Sequence, residues 1–238
     1  KIRSASVDPA LLAMIHKRLE NFAYFPSYRF RSSTNAEDLA EFSGAGLYDS
    51  TSAKRDNKKK TVERALKKVW ASLWNWRAFE ERSYYGIAHD SVAMGVLVNR
   101  SFPAEDANGV LLTINPYSDN PAFIINVAHK EFSIVLPEDG YTNDEILLNT
   151  WSIKPNKQFE IEYLKRSNRP GFSGTPAMTD AEILELGRQA LLMKRRYYNQ
   201  IPHDQSKSFR DFGLEMEFKV DSSVSPRKVY IKQIRPFR

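Results

Sequence analysis

Glu215 and Glu217 stand two residues apart in the segment LEMEF, and Gln233 and Arg235 stand two apart in VYIKQIRPF. In an extended strand that spacing puts each pair on one face. Leu214, Met216 and Phe218 then fill the other face of the first strand. Two carboxylates side by side are hard oxygen ligands of the kind Mg²⁺ takes, usually with water and phosphate oxygens completing the shell. A guanidinium on the neighbouring strand can grip phosphate oxygens in a planar fork. The same residues also suit a solvated strand face with cross-strand ion pairs, which contribute little.

A second chemistry-bearing stretch is RFRSSTNAEDLAEFSGAGLYDS, Arg29 to Ser50. Tyr28 and Phe30 alternate with Arg29 and Arg31, so the arginines face away from the apolar pair. Hydroxyls, an acidic turn, and Gly44 and Gly46 follow. Glycines let backbone amides close on an anion, and Ser43 and Ser50 add hydroxyl donors. The glycine pair fits neither G-x-G-x-x-G nor G-x-x-x-x-G-K-[ST], so an ordinary basic turn remains open as a reading. His16, His89, His129 and His203 stand in no catalytic context and are expected at the surface or in turns.

The elements that must position these groups are legible as patterns. DPALLAMIHKRLENF has an Asp8 cap, Pro9 at the first helical position and a stripe of Leu11, Leu12, Ile15 and Leu19, which makes a helix. YRFRSS is a strand. TVERALKKVWASLWNWRAFEERSYYG predicts one long amphipathic helix through Val62, Leu66, Val69, Leu73 and Trp76, ended by Gly86, with its tryptophans in the core. Beyond it the period changes to two. SVAMGVLVNR, NGVLLTIN, AFIINVA, FSIVL and QFEIEYLKR read as strands separated by turn residues. TDAEILELGRQALLMKRRYYN opens with a capping box, Thr179 with Glu182, and is a helix. FGLEMEFKV and RKVYIKQIR are two strands joined around DSSVSP, and SNRPGFSGTP, 167–176, is expected to be a mobile linker. The class is α+β, with mixed, mainly antiparallel sheets and flanking helices. Residues 1–90 hold the first helix, strand, glycine loop and long helix, and residues 91–238 hold the remaining strands, ending in the carboxylate pair.

With 42% hydrophobic and 27% charged residues, the 238-residue chain belongs with folded globular proteins. No apolar run approaches the ~18 residues that span a bilayer, and the start shows no signal-peptide pattern. The absence of cysteine excludes disulfides and thiolate metal sites and fits a reducing, cytoplasmic compartment. The first residue is Lys1 rather than Met, so the chain reads as a piece of something longer. The net charge is +6, and KRDNKKK at Lys54 to Lys60 reads as a solvated loop. No aromatic-rich basic strand accompanies that run, so nucleic acid is the least favoured partner.

Taken in order, RSSTNAEDLAEFSGAGLYDS, KVWASLWNWRAFEERSYYG, LEMEF and VYIKQIRPF resemble the ATP-binding domain of the dikinases. That family includes pyruvate phosphate dikinase, phosphoenolpyruvate synthase, rifampicin phosphotransferase and the glucan water dikinases. The resemblance runs from Arg29 to Arg238 and implies an ATP-grasp type domain whose two lobes hold a nucleotide, with the N-terminal part of the family domain missing. It implies ATP and Mg²⁺ as cofactors and a phosphotransferase that passes a phosphoryl group to a histidine on another domain, from which an acceptor-substrate domain is served.

By the same resemblance, Arg31 matches an arginine on the ATP phosphates, and Arg77 a helix arginine that approaches them. Gly44, Gly46 and Ser50 lie in the phosphate-covering loop. Asn99 falls where the strand bordering the adenine usually carries Gln, and Glu131 near the acidic residue on the ribose or adenine side. Glu215 and Glu217 match the Mg²⁺-binding pair, and Gln233 and Arg235 the closing Gln-x-Arg. Three departures stand out. The early Lys-Gly-x-Asn motif of the family is not in this sequence, Lys130 replaces the glycine usual before the acid, and residues 1–238 do not include the family's phosphohistidine domain. A non-catalytic nucleotide-binding or regulatory module of the same fold is the alternative.

Overall fold

Alternation of apolar and basic side chains builds the first strand, β1 (Ser27–Thr34), with Tyr28 and Phe30 buried on one face. The structure, a computed structural model, describes all residues except 24, 40, 41, 45, 103, 104, 135–139, 151–158, 204, 205, 224 and 238 and the side chains of Asp38 and Ser43. Its contacts divide the chain into two units, Lys1–Pro103 and Ala104–Arg238.

In the first unit, α1 (Pro9–Glu20) starts at Asp8, whose carboxylate accepts from the amides of Ala10 and Leu11 at 2.7 and 2.9 Å. A short hairpin of β2 (Asp38–Leu39) and β3 (Phe42–Ser43) follows β1. The three-stranded antiparallel sheet has β1 at its centre, between β4 (Thr51–Lys54) and β5 (Met94–Arg100). Leu11, Leu12, Ile15 and Leu19 of α1 and Val62, Ala65, Leu66 and Val69 of a second helix pack against the Tyr28–Phe30 face.

That second helix is shorter than its apolar stripe predicts. The segment forms α2 (Val62–Ser72) and α3 (Trp76–Tyr84), with a break at Leu73 to Asn75. Asn75 caps α3, its side chain accepting from the Ala78 amide at 2.8 Å. The Leu73 carbonyl, which a continuous helix would use internally, accepts instead from Arg82 at 2.7 Å. Two of the three tryptophans in this segment are not core, Trp76 being 72% exposed and Trp74 48%, whereas Trp70 packs half-buried against the core of this unit. Gly86 does end α3, with φ +65° just past the Tyr85 cap.

The unit boundary lies at Pro103 and Ala104 rather than at 90 and 91. The reason is pairing: β5 bonds along β1 from Thr34↔Met94 to Tyr28↔Arg100.

The second unit is one six-stranded sheet in the order β11-β10-β6-β7-β8-β9. The strands are β6 (Glu105–Leu112), β7 (Ala122–His129), β8 (Asp144–Asn149), β9 (Glu160–Lys165), β10 (Leu214–Asp221) and β11 (Lys228–Pro236). Every ladder among the described residues is antiparallel. Helix α4 (Asp180–Gln200) begins with both bonds of the Thr179–Glu182 capping box. Its Ile183, Leu186 and Ala190 bury the sheet face made by Leu111, Ile125, Ile146, Leu148, Leu214, Met216 and Phe218. Lys194 interrupts that apolar side. It is buried, and its ammonium donates to the carbonyls of Thr113 and Arg210 at 2.8 and 3.1 Å.

Three further expectations change. Phe132 to Ile134 form no strand, while Val135 and Leu136 lie outside the described residues; the neighbouring strand is β8 instead. The segment 167–176 is anchored rather than mobile. The buried carboxylate of Asp144 accepts from the Ser167 and Ala177 amides, both at 2.8 Å, and Arg169 packs over Phe132 and Tyr141. His129 is buried rather than superficial, stacked 4.3 Å from Phe172 and bonded to the Thr175 carbonyl oxygen at 3.0 Å.

Candidate functional site

The face of the first sheet opposite Tyr28 and Phe30 carries the groups with chemistry. Register sets Arg29 between Ser52 on β4 and Asn99 on β5, and Arg31 opposite Leu97. Arg29, Arg31 and Asn99 are half-buried, and Leu97 is exposed. Arg29 donates to the Ser52 hydroxyl at 3.5 Å, a long bond. Burial first, and then the neighbouring Arg31 charge, hold the Arg29 guanidinium below its ordinary pKa. The Asn99 Oδ1 is buried and accepts no hydrogen bond. A buried acceptor without a donor is costly, so this atom is where a ligand N–H would be gained most cheaply.

The glycine loop leaves β3 through a tight turn. The Gly44 amide donates to the Glu37 carbonyl at 2.6 Å, and the Gly44 carbonyl accepts from the Leu47 amide at 3.0 Å. A Cβ on Gly44 would stand 3.0 Å from the Glu37 Cα and 3.1 Å from the Tyr48 ring, so the close approach needs glycine. Gly46 has φ +76° with open space around it, so backbone conformation rather than crowding selects it. Ser50 is half-buried just ahead of β4.

The loop is tied to the helices by residues that the sequence did not single out. Asn75 donates to the Leu47 carbonyl at 2.7 Å, and Arg82 reaches the Tyr48 hydroxyl at 3.4 Å and His89 Nδ1 at 3.4 Å. Arg82 is fully buried, whereas Arg77, the expected phosphate arginine of the same helix, is exposed. The Asn cap before WRAF was the available signal; nothing in the pattern marked Arg82.

In the second unit, Glu215 pairs in register with Arg235 and Glu217 with Gln233. All four are half-buried on the face away from α4, while Leu214, Met216 and Phe218 are fully buried on the other. Arg235 Nη2 donates to Glu215 Oε1 at 2.5 Å, and Lys232 Nζ lies 2.8 Å from Glu217 Oε2. Simple alternation would put Lys232 on the opposite face from Gln233. A bulge between Glu217 and Phe218, where Gln233 and Ile231 are the successive partners, brings it to Glu217.

Beside these charges the same face continues through Leu112 and Val110 of β6 to Ile124 and Asn126 of β7. Glu131 is exposed in the turn after β7, which Asn108 clasps by donating to the carbonyls of Lys130 and Phe132 at 2.7 and 3.1 Å. Asn108 lies two and four residues along β6 from the partners of Glu217 and Glu215, which separates Glu131 from the pair by roughly 7–14 Å along the strand.

The carboxylates of Glu215 and Glu217 could hold a hard cation. Among the described residues no cluster of three or more His, Cys, Asp or Glu forms a metal cage. The pair therefore suits an ion whose remaining ligands are phosphate and water. Among the described residues, no helix is long and apolar enough to cross a membrane.

The chain is 29% identical over 210 residues to a probable phosphoenolpyruvate synthase of Pyrococcus horikoshii, covering 87% of this chain and 25% of that protein. It is 28% identical over 236 residues to the phosphoenolpyruvate synthase of Escherichia coli, covering 88% and 27%. A rifampicin phosphotransferase of Bacillus cereus is 35% identical over 120 residues, 50% of this chain and 13% of that protein. The chain thus spans about a quarter of the length of the phosphoenolpyruvate synthases it matches. The family model described as pyruvate phosphate dikinase, AMP/ATP-binding domain, matches residues 1–238, and the chain belongs to that family.

Proposed function

We propose that this chain binds ATP with Mg²⁺ and serves, within a longer cytoplasmic protein, as the nucleotide domain of a dikinase-type phosphotransferase. The observation that carries the reading is the family match along the whole chain. The half-buried Arg31 and Asn99 on one sheet face, and the half-buried Glu215, Glu217, Gln233 and Arg235 on another, support it.

In this reading Arg31, Arg77 and Arg235 neutralise phosphate charge, which is most of what phosphoryl transfer asks of a protein. Glu215 and Glu217 hold Mg²⁺, which supplies charge neutralisation on the phosphates when bound. The amides around Gly44 and Gly46, with Ser50, cover the phosphates and keep water out. Asn99 and Glu131 orient the base and ribose, and Gln233, opposite Glu217, belongs with Arg235 to the nucleotide-binding face. A histidine of another domain accepts the phosphoryl group, and a third domain carries the final acceptor.

One observation favours the non-catalytic alternative. Each carboxylate already has a cation of its own, Arg235 for Glu215 and Lys232 for Glu217, as in a purely structural ion-pair face. Calorimetry separates the two. ATP titrated with and without Mg²⁺ into the wild type and Glu217→Gln is expected to bind the wild type with a clear Mg²⁺ dependence. That dependence is expected to be largely lost in the variant, whose melting temperature stays within about a degree, as for a surface change of 0.5 kcal/mol or less. Mg²⁺-independent binding, equal in both proteins, would return the carboxylates to a structural role. No heat with either protein would remove the nucleotide reading for this chain.

A further inference from the structure

Arg29 sits in the central strand of the first sheet, two residues before Arg31 and on the same face. Their Cα atoms are separated by roughly 7 Å, twice the strand rise. Like charges this close on a half-buried surface repel, and each loses hydration. Strand alternation would accommodate a neutral residue at position 29 equally well, because the core beneath is made by Tyr28 and Phe30. Among the described residues no carboxylate is bonded to Arg29, and its one hydrogen bond is the long contact to Ser52. The remaining N–H donors of a guanidinium that can offer five are therefore uncommitted. Arg29 thus destabilises the ligand-free sheet face without a visible structural return. A polyanion lying along β1 would offset the repulsion from Arg31 and the lost hydration together.

We propose that Arg29 is a second phosphate-binding guanidinium, acting beside Arg31 on the phosphate chain of the nucleotide. This rests on the nucleotide reading above and adds a residue to it. Two forks one strand pleat apart bind successive phosphates better than a single fork, so the phosphate chain rather than the nucleoside gains from Arg29. The fork matters as well as the charge, since an ammonium cannot present two parallel N–H donors to two oxygens.

The test uses calorimetry and thermal melts of the wild type, Arg29→Met and Arg29→Lys with two probes, ATP with Mg²⁺ and adenosine. Methionine keeps an unbranched apolar stem over the sheet and removes the charge. In Arg29→Met the ATP dissociation constant is expected to rise at least tenfold while that of adenosine changes less than threefold. Arg29→Lys is expected to fall between the wild type and Arg29→Met. The ligand-free melting temperature of Arg29→Met is expected to equal or exceed that of the wild type, an outcome a structural arginine would not give. ATP affinity within threefold of the wild type would overturn the proposal, as would equal losses for ATP and adenosine, or a ligand-free protein melting several degrees lower. If the wild type binds neither probe, the nucleotide reading itself fails. If it binds ATP and Arg29→Met does so equally well, only the role of Arg29 fails.

Discussion

Lys130 holds a left-handed backbone, φ 53°, in the turn that presents Glu131. The sequence resemblance places a glycine at this position, and the structure supplies the reason: the turn uses the conformation glycine adopts most easily. A non-glycine residue there costs about 1–2 kcal/mol, part of which glycine would return as chain entropy, about 0.5–1 kcal/mol. The exposed ion pair with Asp106, 2.9 Å, adds little. Lys130→Gly is therefore expected to be neutral to stabilising, by up to about 1 kcal/mol, as read from urea unfolding. A loss of more than 1 kcal/mol would show that the side chain matters more than the turn.

Lys194 makes a second prediction at the same scale. Burial pushes its ammonium down to about 8 from 10.5, opposed by the charge of Asp211. Below pH 8 both folded and unfolded chains carry the proton, and the native state bears the full destabilisation. Between about 8 and 10.5 the unfolded chain holds more protons than the native one, so this contribution to stability rises with pH. The wild type minus Lys194→Met difference in unfolding free energy is expected to rise across that window and to be flat below it. A difference that falls, or does not move, would mean the lysine is not desolvated in solution. The strand faces of Arg31 and of the carboxylate pair were legible from alternation alone. Lys232 was not, because a bulge reverses its face and periodicity does not record bulges.

At the scale of elements, the break between α2 and α3 is the instructive case. The apolar stripe continues through Leu73 and Trp76, so periodicity alone joins the two helices. What separates them is long-range: Asn75 holds Leu47, and Arg82 takes the Leu73 carbonyl. Asn75→Ala should cost about 2 kcal/mol, the sum of a lost cap and a lost hydrogen bond. Asn75→Asp should cost less, since it keeps the cap acceptor and loses only the donor to Leu47. A cost below 0.5 kcal/mol for alanine would mean that α3 does not depend on this residue. The anchored segment 167–176 was misread for a similar reason. Its glycines, prolines and serines resemble a linker, yet one buried carboxylate, Asp144, ties down both ends. β8 escaped notice because Ile146, Leu147 and Leu148 form an apolar run without alternation between acidic and amide residues.

For the whole molecule, the α+β class followed from the sequence, while the complete element order and the division between units did not. β5 has the same period-two pattern as the strands after it, and only its pairing with β1 assigns it to the first unit. An arginine face lies in the first unit and a carboxylate face in the second. The most direct test is a crystal structure of the chain within its parent protein, grown with Mg²⁺ and a non-hydrolysable ATP analogue. The account predicts phosphate oxygens within hydrogen-bond distance of Arg31 and a Mg²⁺ ion about 2.1 Å from a carboxylate oxygen of Glu215 or Glu217. A nucleotide bound elsewhere, with Glu215 and Glu217 still engaged only by Arg235 and Lys232, would contradict it.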